Sequence, residues 1–219
     1  MERNKWIAER LRICEERMDN LFSENYDKGW GEIEKPHQET LENLLSLLPD
    51  YPYILDAACG TGKYFEILTK NNCKILGIDN SNGMLFQAHK KYPEISLQKG
   101  TLQDISFKDI FDAIICMDAM ENIFPEHWPL VLNNFYNSVK KQGYIYFTVE
   151  IIAEEELKDN YENSIRQQLP VKFGEFVENG GYHYYPELSK VRNWIKEAKL
   201  KIVEEREQGV YHHFVTQKL

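Results

Sequence analysis

The chain has 219 residues, of which 42% are hydrophobic and 13% aromatic, and its formal net charge is −9. This length and apolar content suit one domain with a full core and argue against disorder. The negative charge repels phosphate backbones and so argues against nucleic acid as a partner. The first residues mix both charge signs, and no long apolar run follows. We therefore expect a cytoplasmic protein without a membrane partner.

The N-terminal part carries two predicted helices. Apolar residues recur at three- and four-residue steps from Lys5 to Phe22, which predicts an amphipathic helix. A break is expected over residues 26–36, YDKGWGEIEKP. Pro36 then begins a second predicted helix, which ends at Pro49.

Beyond residue 50, short apolar runs alternate with helical stretches. The runs YILDAA, KILGID, FDAIICMD and YIYFTVE predict strands, and a helix is expected after each of the first three. A last helix over Pro186–Lys199 precedes two strands that turn at Gln208 and Gly209. The pattern predicts a doubly wound α/β fold, with a mostly parallel sheet and an antiparallel edge hairpin.

The most informative stretch covers residues 54–79, ILDAACGTGKYFEILTKNNCKILGID. A strand that ends at Asp56, a glycine turn, a helix and a strand that ends at Asp79 predict a nucleotide-binding βαβ unit. Gly60 and Gly62 let the backbone turn sharply, and a Cβ at either position is expected to occupy space that a ligand needs. The carboxylate of Asp79 can accept hydrogen bonds from both ribose hydroxyls and would repel a 2′-phosphate.

Two other nucleotide sites are disfavoured by the same stretch. A dinucleotide fold requires a third glycine where this chain has Phe65, which argues against NAD and FAD. A P-loop is excluded because no Gly-Lys-Ser/Thr follows the turn.

The run DAACGTG, followed by the acid-ended second strand, resembles motif I and its successor in class I, Rossmann-like S-adenosylmethionine-dependent methyltransferases. The family pattern is D/E-x-G-x-G-x-G, in which Asp56, Gly60 and Gly62 match and Ala58 replaces the first glycine. The resemblance implies S-adenosylmethionine as cofactor, S-adenosylhomocysteine as product and a small-molecule acceptor. It also implies that the two glycines lie against the aminocarboxypropyl arm and that Asp79 holds the ribose.

Two later runs extend the resemblance. GTLQDISF stands where the family has G-D-A-x-x-L-P-F, and Thr101 replaces its acid, which leaves adenine recognition to backbone at Leu102, to Gln103 or to Asp104. CMDAMENIFPEHW resembles the C-M-E-M-L-E-H run of ubiquinone-pathway O-methyltransferases, with Asp118 in place of a Glu and an Asn in place of the His. The expected cofactor-binding residues are Asp56, Ala58, Gly60, Gly62, Asp79, Asn80, Met84, Leu102, Gln103, Cys116, Tyr26 and Trp30.

Tyr26 and Trp30 lie in the break between the first two helices, where many enzymes of this family close a lid. We hypothesise that they wall the active site, where aromatic faces stabilise a sulfonium by about 1 kcal/mol or more through cation–π attraction. Plain burial of an anchoring helix is the alternative.

Methyl transfer from a sulfonium is an in-line displacement that needs alignment, desolvation and sometimes a base. The catalytic candidates are Glu121, Asp118 and His183, with His212 and His213 as further possible bases. The two acids could instead cap a helix, and His183 could belong to a packing cluster. Because His212 and His213 alternate along a strand, we expect at most one of them to face inward.

We expect one domain over residues 1–219 and no metal. Its parts are an N-terminal helical lid (1–50), a cofactor-binding core (51–150), a substrate-side insertion (151–185), and a C-terminal helix with the edge hairpin (186–219). The protein is expected to be a monomer or homodimer. Two alternatives stay open, namely a nicotinamide-dependent oxidoreductase on the same fold and a non-catalytic regulator that binds S-adenosylmethionine.

Overall fold

The computed structural model describes residues 2–178 and 181–219. Its helices are α1 (Arg3–Arg17), α2 (Tyr26–Trp30), α3 (Lys35–Leu45), α4 (Phe65–Lys70), α5 (Asn82–Lys91), α6 (Trp128–Ser138), α7 (Glu154–Arg166) and α8 (Leu188–Glu197). Its strands are β1 (Tyr53–Ala57), β2 (Lys74–Asp79), β3 (Ser96–Lys99), β4 (Phe111–Cys116), β5 (Val139–Glu150), β6 (Glu175–Glu178), β7 (Gly181–Tyr184), β8 (Leu200–Gln208) and β9 (Tyr211–Lys218).

Seven of these strands form one sheet in the order β3-β2-β1-β4-β5-β9-β8. The first five are parallel to one another, whereas β9 runs antiparallel between β5 and β8. The predicted Rossmann-like sheet with an antiparallel hairpin is therefore confirmed. No apolar run in the sequence marks β3, because its residues SLQK form a short, polar edge strand.

The sheet is buried on both faces, each by its own apolar cluster. His212 and His213 are only 5% and 0% exposed, although they point to opposite faces of β9. Nδ1 of His213 lies 2.9 Å from the hydroxyl of Tyr146, and Nε2 of His212 lies 2.8 Å from a carboxylate oxygen of Glu205. The expectation that at most one of these histidines faces inward is wrong, because β9 is an interior strand with both faces covered.

The N-terminal segment is more helical than predicted. A π-helical turn over Met18–Phe22 continues α1, and α2 occupies part of the expected break. Pro36 lies in the first turn of α3, as predicted, but α3 ends at Leu45, before Pro49. Among the helices in the described ranges, none combines the length and the apolar character that a membrane span requires.

The insertion over residues 151–185 contains α7 and a small sheet formed by β6 and β7. A buried ion pair joins it to the start of α1. The guanidinium of Arg3 donates to both carboxylate oxygens of Glu175, at 2.7 and 2.5 Å, and also to Glu126. The Tyr182 hydroxyl donates to Glu175 as well, at 2.6 Å, and Glu175 is only 1% exposed. The lid and the insertion are therefore held together by one fully paired carboxylate.

We predict that Arg3→Ala lowers the free energy of unfolding by about 3–5 kcal/mol, because it leaves the Glu175 carboxylate buried without its cation. Arg12→Ala is the matched control, since Arg12 pairs with Glu16 on the exposed face of the same helix and should cost about 0.5 kcal/mol or less. Urea denaturation measures both. Equal losses of unfolding free energy in the two variants would contradict a stabilising role for the ion pair between Arg3 and Glu175.

Candidate functional site

The turn between β1 and α4 contains three residues with left-handed φ: Ala58 (+66°), Gly60 (+54°) and Gly62 (+80°). A Cβ added at Gly60 would meet no described protein atom within 4 Å, so its backbone borders open space. A Cβ at Gly62 would lie 2.6 Å from Cδ2 of Phe65. The expectation for Gly62 is therefore wrong, because this glycine makes room for a phenylalanine ring and not for a ligand.

The same ring explains how the turn is built without a third glycine. Phe65 is fully buried, and its Cζ would lie 2.8 Å from a Cβ added at Gly77 in β2. Small residues at Gly62 and Gly77 thus accept a large ring at the start of α4. A dinucleotide fold brings its helix close to the strand with a third glycine on the helix. Here α4 approaches β2 through a phenylalanine on the helix and a glycine on the strand.

Asp79, the last residue of β2, joins the turn to the next helix. Its Oδ2 accepts a hydrogen bond from the Gly60 amide at 2.8 Å, and its Oδ1 accepts one from the Ser81 amide at 2.9 Å. Burial raises the pKa of this carboxyl. Each oxygen keeps a lone pair, so the group can also accept hydrogen bonds from a ligand.

A cavity of about 170 Å³ lies against this turn. Eight of the twelve predicted cofactor residues line it, namely Tyr26, Ala58, Gly60, Asp79, Asn80, Met84, Leu102 and Gln103. Gly62 and the buried Asp56 and Cys116 lie outside the lining, as does Trp30, which is 54% exposed. Residues that the sequence analysis did not predict also line the cavity, and these include Leu11, Cys14, Met18 and Tyr182.

Two aspartates hold the N-terminal segment over this cavity. Asp19 accepts hydrogen bonds from the Ser81 hydroxyl at 2.6 Å and the Gly83 amide at 3.1 Å. Asp27 accepts from the Thr61 hydroxyl at 2.5 Å and from Lys91 at 2.7 Å. In the sequence both aspartates resemble ordinary polar residues of an amphipathic segment, so their role could not be predicted.

The aromatic residues of the segment act as a pair. The Tyr26 ring lines the cavity, and Trp30 packs against it with the ring centroids 5.4 Å apart. Trp30 also contacts Phe22 at 6.0 Å. Trp30 therefore supports Tyr26 from outside and does not itself wall the cavity.

In the segment after β3, residues 100–107, several polar side chains form hydrogen bonds within the protein. Thr101 donates to Asp104 at 2.6 Å, and Nε2 of Gln103 lies 3.1 Å from Nδ1 of His127. The carbonyls of Leu102 and Gln103 accept hydrogen bonds from Asn134. Leu102 contributes an apolar surface to the cavity, as a planar base requires.

Asp118 follows β4 with a left-handed φ of +55° and lines the cavity. Its carboxylate lies 2.8 Å from Nε2 of His37, 3.0 Å from Nζ of Lys63 and 2.9 Å from the hydroxyl of Tyr64. Burial opposes ionisation, but His37 and Lys63 hold the pKa of Asp118 well below its usual range. The carboxylate is thus a fixed negative charge at the edge of the cavity.

Glu121, three residues after Asp118, lacks the cationic partners that Asp118 has. It belongs to a 3₁₀ turn over Met120–Asn122 and is only 6% exposed, and its Oε2 has no hydrogen-bond partner among the described residues. Burial, together with the charges of Asp118 and Glu150, raises its pKa to about 8. Two carboxyls with pKa values displaced in opposite directions are typical of a site that handles protons.

The other catalytic candidates are less well placed. His183 lies on β7, where its Nδ1 is 2.9 Å from the Tyr185 hydroxyl and 3.9 Å from Glu150. Burial lowers its pKa. Neither His183 nor Glu121 lines the cavity beside Asp79, but Ala119 and Asn122, on either side of Glu121, do. His212 and His213 are buried inside the sheet layers.

His37 is a site residue that was not predicted from the sequence. It is fully buried on α3, and its ring centroid lies 4.7 Å from that of Tyr211 and 5.0 Å from that of His213. It shares the buried face of α3 with Leu41 and Leu44 at helical spacing. A histidine on an otherwise apolar stripe was the signal available in the sequence.

The glycine turn, the acid that ends β2 and the cavity beside them define a nucleoside-binding α/β domain. Residues 54–143 match the family model described as a methyltransferase domain. The carboxy-S-adenosyl-L-methionine synthase of Wolinella succinogenes is 27% identical over 128 residues, which cover 53% of this chain and 52% of that protein. The dTDP-4-amino-2,3,4,6-tetradeoxy-D-glucose N,N-dimethyltransferase of Saccharopolyspora spinosa is 30% identical over 79 residues, which cover 36% and 32%.

The fold is similar to that of magnesium protoporphyrin IX methyltransferase from Synechocystis PCC 6803, crystallised with S-adenosylhomocysteine. The TM-score is 0.69 at 14% identity, over 95% of this chain and 99% of that chain. The chain spans between about a third and a half of the length of the curated relatives that it matches first. Residues 54–143 thus carry a methyltransferase domain, and the fold is that of class I, Rossmann-like S-adenosylmethionine-dependent methyltransferases, whose cofactor is S-adenosylmethionine.

The residues present fit that cofactor. The open space at Gly60 would be filled by a Cβ, and the Asp79 carboxylate beside it can accept hydrogen bonds from ribose hydroxyls. The cavity lining includes two carboxylates, those of Asp79 and Asp118, which complement a positively charged sulfonium. Tyr26 offers an aromatic ring to the same cavity.

We predict different effects for alanine at the two motif glycines. Gly62→Ala should lower the free energy of unfolding by about 2–4 kcal/mol, because a strained φ adds to a collision with Phe65. Gly60→Ala should lower the free energy of unfolding by only about 1–2 kcal/mol, from the strained φ alone. It should nevertheless weaken cofactor binding more than Gly62→Ala does. Chemical denaturation and calorimetry measure the two properties. A Gly62→Ala variant as stable as the parent would disprove the packing role.

Glu121 should make stability depend on pH. Its pKa is raised from 4.5 to about 8, so the folded state holds a proton that the unfolded state releases, and stability is lost as the pH rises through this window. Glu121→Gln removes the effect. The unfolding free energy of the variant relative to the parent should rise by about 2–4 kcal/mol from pH 5 to pH 9. A difference independent of pH would contradict this prediction.

Proposed function

We propose that the protein transfers a methyl group from S-adenosylmethionine to an oxygen or nitrogen atom of a small-molecule acceptor. The observation that carries the proposal is the cavity in which the open backbone of Gly60, the carboxylate of Asp79 and the ring of Tyr26 converge. When bound, the cofactor supplies an electrophilic methyl group on a sulfonium sulfur, which a nucleophile can displace in line.

Residues of this chain bind the cofactor, exclude water, stabilise charge and accept a proton. Asp79 holds the ribose, and the lid residues held by Asp19 and Asp27 exclude water from the cavity. Asp118 stays ionised and stabilises positive charge at the cavity edge. We assign the role of general base to the ionised form of Glu121, because a carboxylate whose pKa is raised to about 8 binds the proton that the nucleophile loses more strongly than an ordinary glutamate does.

A small acceptor is favoured by the small volume of the cavity, about 170 Å³, and by the net charge of −9, which repels nucleic acid. The Saccharopolyspora relative is named as an N,N-dimethyltransferase of an amino sugar nucleotide, and this is consistent with nitrogen as one of the two proposed acceptor atoms. We further propose a cytoplasmic protein that acts as a monomer or homodimer without a metal.

Calorimetric titration with S-adenosylmethionine and with S-adenosylhomocysteine tests the proposal. We expect both to bind, and Asp79→Asn to weaken binding about 10- to 100-fold, because charged hydrogen bonds are worth about 1.5–3 kcal/mol. Glu66→Gln is the control, since Glu66 is an exposed carboxylate that pairs with Lys70 on α4. If the parent protein binds neither ligand but binds NADH, the proposed function is wrong.

A further inference from the structure

The segment after β3 lies beside the acid that is proposed to hold the ribose. The Gly100 amide donates a hydrogen bond to the backbone carbonyl of Asp79 at 3.0 Å, so the segment begins next to that acid. Residues 100–103 line the cofactor cavity, and the buried side chain of Leu102 gives the cavity an apolar surface there. A planar base attached to the ribose would therefore extend over these residues.

Adenine carries a 6-amino group, which needs a hydrogen-bond acceptor once the base leaves water. Three acceptors of this segment are already engaged. Asp104 lies outside the cavity lining and accepts a hydrogen bond from the Thr101 hydroxyl at 2.6 Å. The backbone carbonyls of Leu102 and Gln103 both accept from Nδ2 of Asn134, at 3.1 and 2.9 Å. Two side chains of the lining remain, those of Thr101 and Gln103.

The carboxamide of Gln103 has a defined orientation. Its Nε2 lies 3.1 Å from Nδ1 of His127, which accepts this hydrogen bond when the ring carries its proton on Nε2. Among the residues that the structure describes, His127 is the hydrogen-bond partner of this side chain, so the Oε1 oxygen keeps its lone pairs for a ligand. The Thr101 hydroxyl belongs to a shorter side chain and is bound to Asp104.

Helix α6 holds Gln103 at two points. His127, directly before α6, binds the tip of the side chain, and Asn134 binds the backbone carbonyl. Seven residues, about two helical turns, separate these two partners, so they lie on the same side of the helix. One turn further along, the Ser138 hydroxyl donates to the carbonyl of Phe107 at 3.3 Å. The carboxamide is thus oriented before a ligand binds.

We infer that Gln103 recognises the adenine of the cofactor through its carboxamide oxygen, and that His127 is a positioning residue that sets the orientation of this carboxamide. The inference rests on the proposed function. If the carboxamide turned over, its oxygen would face the lone pair of Nδ1 in His127, and its NH₂ group would face the amino group of adenine. Both contacts would be repulsive, so the site selects a base with an amino group over a base with a carbonyl at the same position.

Calorimetric titration of the full chain with S-adenosylhomocysteine and with S-inosylhomocysteine tests the inference, because a carbonyl replaces the amino group in the second ligand. We expect the first ligand to bind about 10-fold more tightly or better. Gln103→Leu should reduce this preference to less than about 3-fold and leave the affinity for S-inosylhomocysteine unchanged, which checks that the site is intact. Gln98→Leu, which removes an exposed glutamine of β3, should leave both affinities unchanged.

Two substitutions test the positioning role of His127. His127→Leu removes the acceptor at Nδ1, so the carboxamide can turn over, and the preference should fall as it does in Gln103→Leu. His127→Asn places an amide oxygen near the former Nδ1 and should restore the preference to within about 3-fold of the parent value. A merely structural role of His127 would instead lower the affinity for both ligands alike.

The outcomes separate this inference from the proposed function. If the parent protein binds neither ligand, the proposed function fails. If it binds both ligands equally well, or if the preference survives Gln103→Leu and is lost in Thr101→Val, the assignment of Gln103 is wrong and the proposed function stands. If His127→Leu keeps the parent preference, or if His127→Asn does not restore it, His127 is not a positioning residue.

Discussion

The carboxylate of Asp79 is the contact on which the rest of the site depends. Through its two oxygens it fixes the Gly60 amide in the turn after β1 and the Ser81 amide before α5. Ser81 in turn donates to Asp19 in the lid, so one acid orients the glycine turn, the next helix and the N-terminal segment. Charge-assisted hydrogen bonds to backbone amides are strong and directional, which keeps the cavity in shape before a ligand arrives.

The site also shows how position alone separates the chemistry of similar side chains. Asp118 and Glu121 are three residues apart and both are largely buried. One lies among a lysine, a histidine and a tyrosine and stays ionised, whereas the other lacks such partners and tends to hold a proton. The methyltransferase domain thus presents a permanent charge and a titratable group at the same edge of its sheet.

Much of the fold could be predicted from the sequence because its signals are local. The apolar runs of β1, β2 and β4, Pro36 at the start of α3 and the turn at Gly209 each depend on neighbouring residues alone. The site was only partly predictable. Asp79 and Gly60 belong to a short motif, but the contacts of His37, Asp19 and Asp27 join segments up to 81 residues apart, and no local pattern encodes them. Gly62 was misinterpreted because the ring of Phe65 fills the space beside it.

The two aspartate contacts of the lid have a kinetic consequence. Asp19 and Asp27 hold the segment over the cavity through hydrogen bonds and one partly exposed lysine, so the contacts that must break for opening are polar, and the one between Asp27 and Lys91 is exposed to water. Polar contacts that water reaches exchange readily with solvent, whereas the apolar packing of Trp6 and Ile7 near the start of α1 is expected to persist. Ligand entry and departure can then proceed by movement of residues 18–30 while the start of the chain stays docked, and added salt should speed the exchange.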